Sequence, residues 1–301
     1  MTCDYQERKD MIKITDLCPL FFNPLRYTFG ADVDYTQKFH TSDNILIQVL
    51  TDGEAVSATL KNLSLNVETK LSLSTYQHND SITLHYYTIT GLNDGVYSIL
   101  INGRESEPFI VCSDEDLLER TTLIRYSNKD NNSAFDNIFW IGDNQQMFDF
   151  RIEGGFKPSG FTPKVDNEQY RNQFQEITEL YALPYEAYTL SLGDSVGLPY
   201  WMIRHVNRLL CVSHVEIDGE LYVRSESSTP ELTATIEDAQ LFTSSVVLEK
   251  RKNDISGIGG RPEEAASSSI IGFNIDNPVD GQMLQYSGED NAFVNVTTVG
   301  V

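Results

Sequence analysis

Five histidines, four cysteines and an excess of carboxylates are the reactive groups of this 301-residue chain, and their spacing decides what chemistry they could share. His40, His78, His85, His205 and His214 show no H-x-x-x-H or H-E-x-x-H spacing, and no cysteine stands at ligand spacing from any of them, so no zinc site is expected. His85, within Leu84-His85-Tyr86-Tyr87, reads as a cross-strand packing residue. Cys3, Cys18, Cys112 and Cys211 are scattered without a C-x-x-C pair, so buried, reduced thiols are expected. Glu176 and Glu179 could share a helix face as acid and base, but in so acidic a chain they read as surface carboxylates. Gly193-Asp194-Ser195-Val196-Gly197 is taken as a loop that positions the following helix rather than as a nucleophile elbow. Gly257-Ile258-Gly259-Gly260 lacks the Lys-Ser/Thr of a phosphate loop and reads as linker. Asp32-Val33-Asp34 and Glu289-Asp290-Asn291 lack a twelve-residue calcium loop and read as solvated turns. No catalytic residue, metal ligand or cofactor is assigned, and the expectation is a non-enzyme.

Charge narrows the partners. Forty-four acidic against 22 basic side chains give a formal charge of −22, which repels phosphate backbones and anionic lipid, so neither nucleic acid nor a membrane surface is an expected partner. No run of eighteen apolar residues occurs, so no spanning helix is expected. The polar, charged segment Met1–Asp10 argues against a cleaved secretory signal, and the scattered thiols suit folding in a reducing cytosol.

The elements that must position these residues read as mainly β. Ile45, Ile47 and Val49 alternate with Leu46, Gln48 and Leu50, and similar short runs recur through Tyr97, Ile99 and Ile101. Period-two runs between polar turns predict a sandwich of antiparallel strands over residues 17–113, preceded by an N-terminal extension, 1–16. Leu92, Gly95 and Tyr97 resemble the tyrosine corner of immunoglobulin- and fibronectin-like sandwiches, where the Tyr hydroxyl caps backbone groups at a strand crossover. Ser106–Val111 is expected as the closing edge strand, with Pro108 suited to an edge. A charged connector at Asp114–Arg120 leads into a second β-rich domain, 114–253, with one or two short helices. Asp218-Gly219 marks a tight hairpin, since its residues supply positive φ. Pro199–Cys211 reads as a helix, with Met202, His205/Val206 and Leu209 at helical spacing. Residues 168–181, with Phe174, Ile177 and Leu180/Tyr181, are the second helix candidate.

Beyond residue 253 the composition turns to Gly, Ser and Ala, with seven acidic residues against one basic from 254 onward. Residues 254–272 are therefore expected as a flexible linker and 273–301 as a tethered strand arm. Within the arm, Pro278, Gly281, Met283, Leu284, Tyr286, Phe293, Val294 and Val296 are the assembly candidates, because two strands alone cannot bury their own apolar residues. The unit from Asn274 through Tyr286 and on to Ala292–Val296 resembles modules of bacteriophage tail-fibre and baseplate proteins. Ser42–Gln48, Phe148–Phe156, Arg171–Tyr185 and Gly193–Asn207 are similar to structural proteins of Bacteroidetes phages and prophages. That resemblance implies a virion tail, baseplate or fibre-adaptor subunit, made in the host bacterial cytoplasm, that assembles as a ring or trimer and links neighbouring tail proteins. The alternative is a carbohydrate-binding module or surface adhesin, in which Trp140, Tyr185 and Trp201 would stack on a host-surface glycan.

Overall fold

The computed structural model describes residues 12–22, 35–131, 135–193, 197–226, 228, 230–234 and 241–251, together with the backbone of three strands between 272 and 297. Its contacts divide the chain into a unit spanning Met1–Lys252 and a second spanning Asn253–Val301. The chain is mainly β, and its N-terminal part is an immunoglobulin-like sandwich.

That sandwich is built from β1 (Lys13–Ile14), β2 (Gln37–His40), β3 (Ile45–Thr51), β4 (Ala58–Asn62), β5 (Val67–Leu71), β6 (Ser74–Asn79), β7 (Ile82–Ile89), β8 (Gly95–Ile101), β9 (Arg104–Glu105) and β10 (Phe109–Cys112). One sheet runs β1-β3-β7-β6 and the other β2-β10-β8-β4-β5, with β9 on β8 and β2 parallel to β10. This is the arrangement of immunoglobulin-like domains, in which β3 and β7 sit in one sheet and β4, β8 and β10 in the other. Phe39, Ile45, Ile47, Val49, Leu60, Ile99, Ile101, Phe109 and Val111 fill the space between the sheets. At the start of β8 the Tyr97 hydroxyl donates to the Asn93 carbonyl at 2.9 Å, the bond of a tyrosine corner. Ile99, two residues on, is fully buried where antibody domains place a disulfide cysteine. The expected closing edge strand is instead internal: β10 lies between β2 and β8. Pro108 precedes the first paired residue, Phe109, so its missing N–H costs no ladder bond.

After the four-residue helix α1 (Glu115–Leu118), capped by the Asp114 side chain, come β11 (Thr121–Ser127), β12 (Trp140–Ile141), β13 (Asn144–Gln145), β14 (Phe148–Arg171), β15 (Ile177–Leu192), β16 (Leu198–Pro199), α2 (Tyr200–Leu209), β17 (His214–Ile217), β18 (Glu220–Arg224), β19 (Glu231–Ala234) and β20 (Leu241–Lys250). The pairings β15-β14-β11-β17-β18-β20 return from β20 to β15, which closes a six-stranded antiparallel barrel. Asp218 and Gly219, at φ of 51° and 85°, make the tight β17–β18 turn. The α2 helix supplies Trp201, Met202, Ile203, Val206 and Leu209 to a core shared with Tyr126, Phe148, Phe150 and Ile217. Gly154 is fixed by contact: at φ of 127°, a Cβ there would lie 2.1 Å from the Ser191 carbonyl oxygen.

Sandwich and barrel form one body because β3 is buried on both faces. Ile45, Ile47 and Val49 enter the sandwich core, whereas Leu46 joins the barrel core and Leu50 packs on Ile138. Between these apolar contacts the Gln48 carboxamide donates to the Ile138 carbonyl at 2.7 Å and accepts from its N–H at 3.0 Å. Asn137 accepts from the Leu17 N–H at 3.0 Å and donates to Thr15 at 3.1 Å, while the Tyr126 hydroxyl donates to the Leu17 carbonyl. Arg151 grips Asp43 with two bonds of 2.7 and 2.8 Å, and Arg125 grips Asp149, which also accepts from the Asn44 N–H.

The C-terminal unit contains β21 (Gly272–Asn274), β22 (Gln282–Ser287) and β23 (Ala292–Thr297), in the order β21-β23-β22. Met283 is opposite Val296, Leu284 opposite Asn295, Gln285 opposite Val294 and Tyr286 opposite Phe293. Alternation therefore places Leu284, Tyr286 and Phe293 on one face and Met283, Val294 and Val296 on the other. Pro278, Gly281 and the linker expected over 254–272, apart from Gly272, lie outside the described residues.

The Arg151–Asp43 pair yields a stability prediction. Both side chains are nearly buried, so Arg151→Met alone leaves an uncompensated carboxylate and is expected to cost about 3–5 kcal/mol. Combining it with Asp43→Leu should recover most of that loss in urea denaturation. A double variant no more stable than Arg151→Met would show that the pair is not the source of the cost.

Candidate functional site

Strands β14 and β15 outrun the barrel that launches them. β14 pairs with β11 only from Phe148 to Glu153, and β15 pairs with β20 only from Ala187 to Leu192. Beyond those contacts they pair with each other alone, over nine register positions from Pro163↔Glu186 to Arg171↔Ile177. At about 3.3 Å per residue this two-stranded hairpin extends roughly 30 Å. Its base is braced by aromatic rings: Phe156 lies 4.9 Å from Tyr222, Phe161 5.2 Å from Tyr188, and Tyr188 5.7 Å from Tyr222. The register shift between Phe156 and Phe161 sets four β14 residues against Thr189 alone, and Gly160 allows the close approach.

Asn172 shapes the tip. Its side-chain oxygen accepts from the N–H groups of Phe174 (2.9 Å) and Glu176 (3.0 Å), and its own N–H donates to the Glu176 carbonyl at 3.0 Å. Gln175 takes a φ of 67° to complete the turn. The helix expected over 168–181 is therefore a β-hairpin. Leu180 is a bulge residue, unpaired between Glu168↔Tyr181 and Gln169↔Glu179. The bulge and the five-residue tip bring Phe174, Ile177 and Leu180/Tyr181 to helix-like spacing without a helix. Glu176 thus sits in the tip, bonded to Asn172, and Glu179 faces Gln169; no shared helix face exists for acid–base work.

Apolar exposure concentrates on this hairpin. Phe161, Val165, Tyr170, Phe174, Ile177, Leu180, Tyr181 and Leu183 are eight of the thirteen exposed large hydrophobics among the described residues. At 42–75 % exposure, and with roughly 200 Å² for a fully open side chain of this size, they present on the order of 800 Å². Divided between two faces and the tip, this leaves each face within the roughly 300–600 Å² of the largest patch on a typical monomer. Both faces contribute, with Val165 and Pro184 on one and Tyr170, Tyr181 and Leu183 on the other.

The remaining candidates fall into place around this surface. Among the described residues no group of three metal-ligating side chains converges. Gly193–Gly197 does carry Gly-x-Ser-x-Gly spacing, but residues 194–196 lie outside the described residues. An elbow needs strand to pass straight into helix, whereas β16 intervenes and α2 begins only at Tyr200. His85 bonds across strands to Thr51 at 3.2 Å, and burial holds its pKa below the usual value. Cys18 is buried and its thiol is pushed up to about 12 by desolvation, while Cys112 is half-buried and Cys211, contrary to expectation, exposed. Asp32–Asp34 and Glu289–Asn291 lie outside the described residues. Of the sugar-stacking candidates, Trp201 is buried at 8 % exposure, Trp140 is half-buried with its indole N–H donating to Asn128, and Tyr185 is half-buried on the hairpin. A polar cleft of about 170 Å³ lined by Lys157, Ser191, Glu231, Thr243 and Ser245 is smaller than the roughly 300–1,000 Å³ of small-molecule sites.

No family model and no curated protein matches the chain. Among solved structures it is similar to an insect complex, the crystal structure of Dpr2 Ig1-Ig2 with DIP-Theta Ig1-Ig3, at 8 % identity. That match covers 82 % of this chain and 92 % of the other with a TM-score of 0.19, a superposition too loose to bear on function.

His205 gives the body a measurable pH dependence. It is enclosed by Phe21 and Phe150, its Nε2 has no hydrogen-bond partner, and burial, aided by Arg208 and opposed by Asp16, lowers its pKa to about 3. The folded state keeps it neutral while the unfolded chain protonates near pH 6.5, so its contribution is complete above that pH. It is lost as pH falls toward 3, at up to about 1.4 kcal/mol per pH unit. His205→Leu should flatten the decline in urea midpoint between pH 6.5 and 3; parallel declines in variant and wild type would refute the assignment.

Proposed function

We propose that this chain is a non-enzymatic structural subunit of a phage tail, a tail, baseplate or fibre-adaptor component that assembles with copies of itself into a ring or trimer and joins neighbouring virion proteins. The observation that carries the reading is the β14–β15 hairpin, whose apolar residues project from both faces beyond the barrel. An isolated two-stranded ribbon is marginal in water, and this one is ordered at the tip yet uncovered along its length. In this reading a neighbouring chain covers it. Its rigid attachment, through the ring cluster at Phe156, Phe161, Tyr188 and Tyr222, suits a subunit that must hold a neighbour at a fixed angle.

The virion assignment draws on the resemblance of Phe148–Phe156 and Arg171–Tyr185, which frame this hairpin, to phage structural proteins. The C-terminal unit supports the same reading. A single three-stranded sheet with apolar residues at register positions on both faces calls for a further layer on each side.

Light scattering should return a mass that is a multiple of 34.0 kDa for the full chain and a single-chain mass for Phe174→Lys/Leu183→Lys. A wild type that stays monomeric at tens of micromolar would end the self-assembly reading. Mass spectrometry of purified particles from the producing host should find the chain in stoichiometric amount; its absence would remove the virion assignment. Truncation after residue 253 should leave the β-body folded by circular dichroism but unable to incorporate into particles. Normal incorporation would show that the C-terminal unit is dispensable.

A further inference from the structure

Strand β15 carries two surfaces along one side. Leu190 and Leu192 enter the barrel core, so Ser191 between them turns outward, and unbroken alternation sets Tyr181, Leu183 and Tyr185 on that same side. Ser191 lies in a row with Ser245 and Glu231 across β15, β20 and β19, within the polar cleft. Five hydroxyl side chains line that cleft, among them Ser244, whose hydroxyl is buried without a hydrogen-bond partner. The exposed Lys157 and Glu231 complete it; neither makes an ion pair among the described residues, and together they leave it neutral in a chain of −22. Its volume of about 170 Å³ equals about six waters at roughly 30 Å³ each, room for one sugar-sized ring. The second surface begins at Tyr185, about 20 Å along the strand at roughly 3.3 Å per residue. Ala187, between the two, is small and buried. Tyr170, Tyr181 and Tyr185 are the only tyrosines of residues 163–186, and all three stand on this face with Lys164, Asp166 and Glu168. The opposite face carries Val165, Ile177 and Pro184 and no tyrosine.

We propose that the outward side of β15 binds an uncharged, linear polysaccharide, with one ring in the cleft and the following rings over Tyr185, Leu183 and Tyr181. This goes beyond the tail-subunit reading and does not depend on it. A sugar ring is apolar on its C–H faces and hydroxylated at its edges. Tyrosine answers both, with a flat apolar body and a polar tip, while the neighbouring carboxylates accept from sugar hydroxyls. An aliphatic surface would serve a protein neighbour, and the opposite face is of that kind. Sorting every tyrosine onto the side that runs into a hydroxyl-lined cleft suits a ligand of mixed character instead. Charge narrows the glycan. Glu249, Asp166 and Glu226 all act on Tyr185 electrostatically, so chains bearing uronate or sialic acid are repelled, whereas a neutral chain is not. The twist of a two-stranded ribbon winds this path, and a flexible glycan can follow it.

The test applies the full-length protein to a printed array of uncharged and acidic oligosaccharides, with a hexalysine peptide as a cationic control. Uncharged glycans are expected to bind, and the tightest is then titrated by calorimetry against three variants. Tyr181→Ala/Tyr185→Ala on the ribbon and Lys157→Ala/Glu231→Ala in the cleft should each weaken binding by about tenfold. Val165→Ser/Ile177→Ser, on the opposite face, should bind like wild type. None of these six residues is buried, and Tyr181→Ala alone replaces the ribbon variant should that one melt early. Four results would overturn the proposal: no uncharged glycan bound, binding confined to acidic glycans or hexalysine, wild-type affinity in the ribbon or the cleft variant, or an equal loss in the opposite-face variant. Each of these leaves the light-scattering test of self-assembly untouched.

Discussion

Every residue of β3 is buried, and the strand belongs to two cores at once. A strand in an ordinary sandwich sheet turns one face inward and one to water. Here Ile45, Ile47 and Val49 serve the sandwich while Leu46 and Leu50 serve the contact with the second half, and Gln48 between them is fully enclosed. A buried carboxamide is tolerable only when both ends are bonded, and the backbone of Ile138 satisfies both. Asn137, Tyr126 and the Asp43–Arg151 pair extend the same principle along the seam. Each polar group there has a specific partner across the junction, so sliding one half against the other would orphan several at once. Rigidity of the whole body follows from that penalty.

The rigid body gives the hairpin its physical meaning. Projecting ribbons on mobile supports lose ordering entropy when they bind, which lowers affinity for a given area. This ribbon starts from a closed barrel, is clamped at its base by four aromatic rings, and is closed at its tip by Asn172. What remains open is the apolar middle. The arrangement fixes the ribbon's order in advance of any contact, which suits the proposed role of holding a neighbour at one angle.

Much of the sandwich was legible in the chain because its signals are local. Alternation marks the strands, and the Leu92–Tyr97 segment announces the corner whose hydroxyl bond to Asn93 is present. Helix α2 was legible for the same reason, its apolar residues recurring at one period between Pro199 and Cys211. Barrel closure was not legible, since the β15–β20 pairing joins segments with four strands and a helix between them. The junction left a trace that alternation alone misses: Leu46 and Leu50 are apolar at positions a one-sided strand would make polar. The hairpin was hidden by its own bulge, because Leu180 breaks the period of two and imitates a helical repeat. Surface exposure of apolar residues, the property that defines the site, is a tertiary fact with no local signature.

Placing apolar residues on a projecting ribbon carries a hazard that the sequence addresses. An exposed, flat, two-stranded ribbon invites indiscriminate strand addition. Pro163 and Pro184 interrupt its two edges, five acidic side chains against two basic keep like ribbons apart, and the bulge at Leu180 twists the strand.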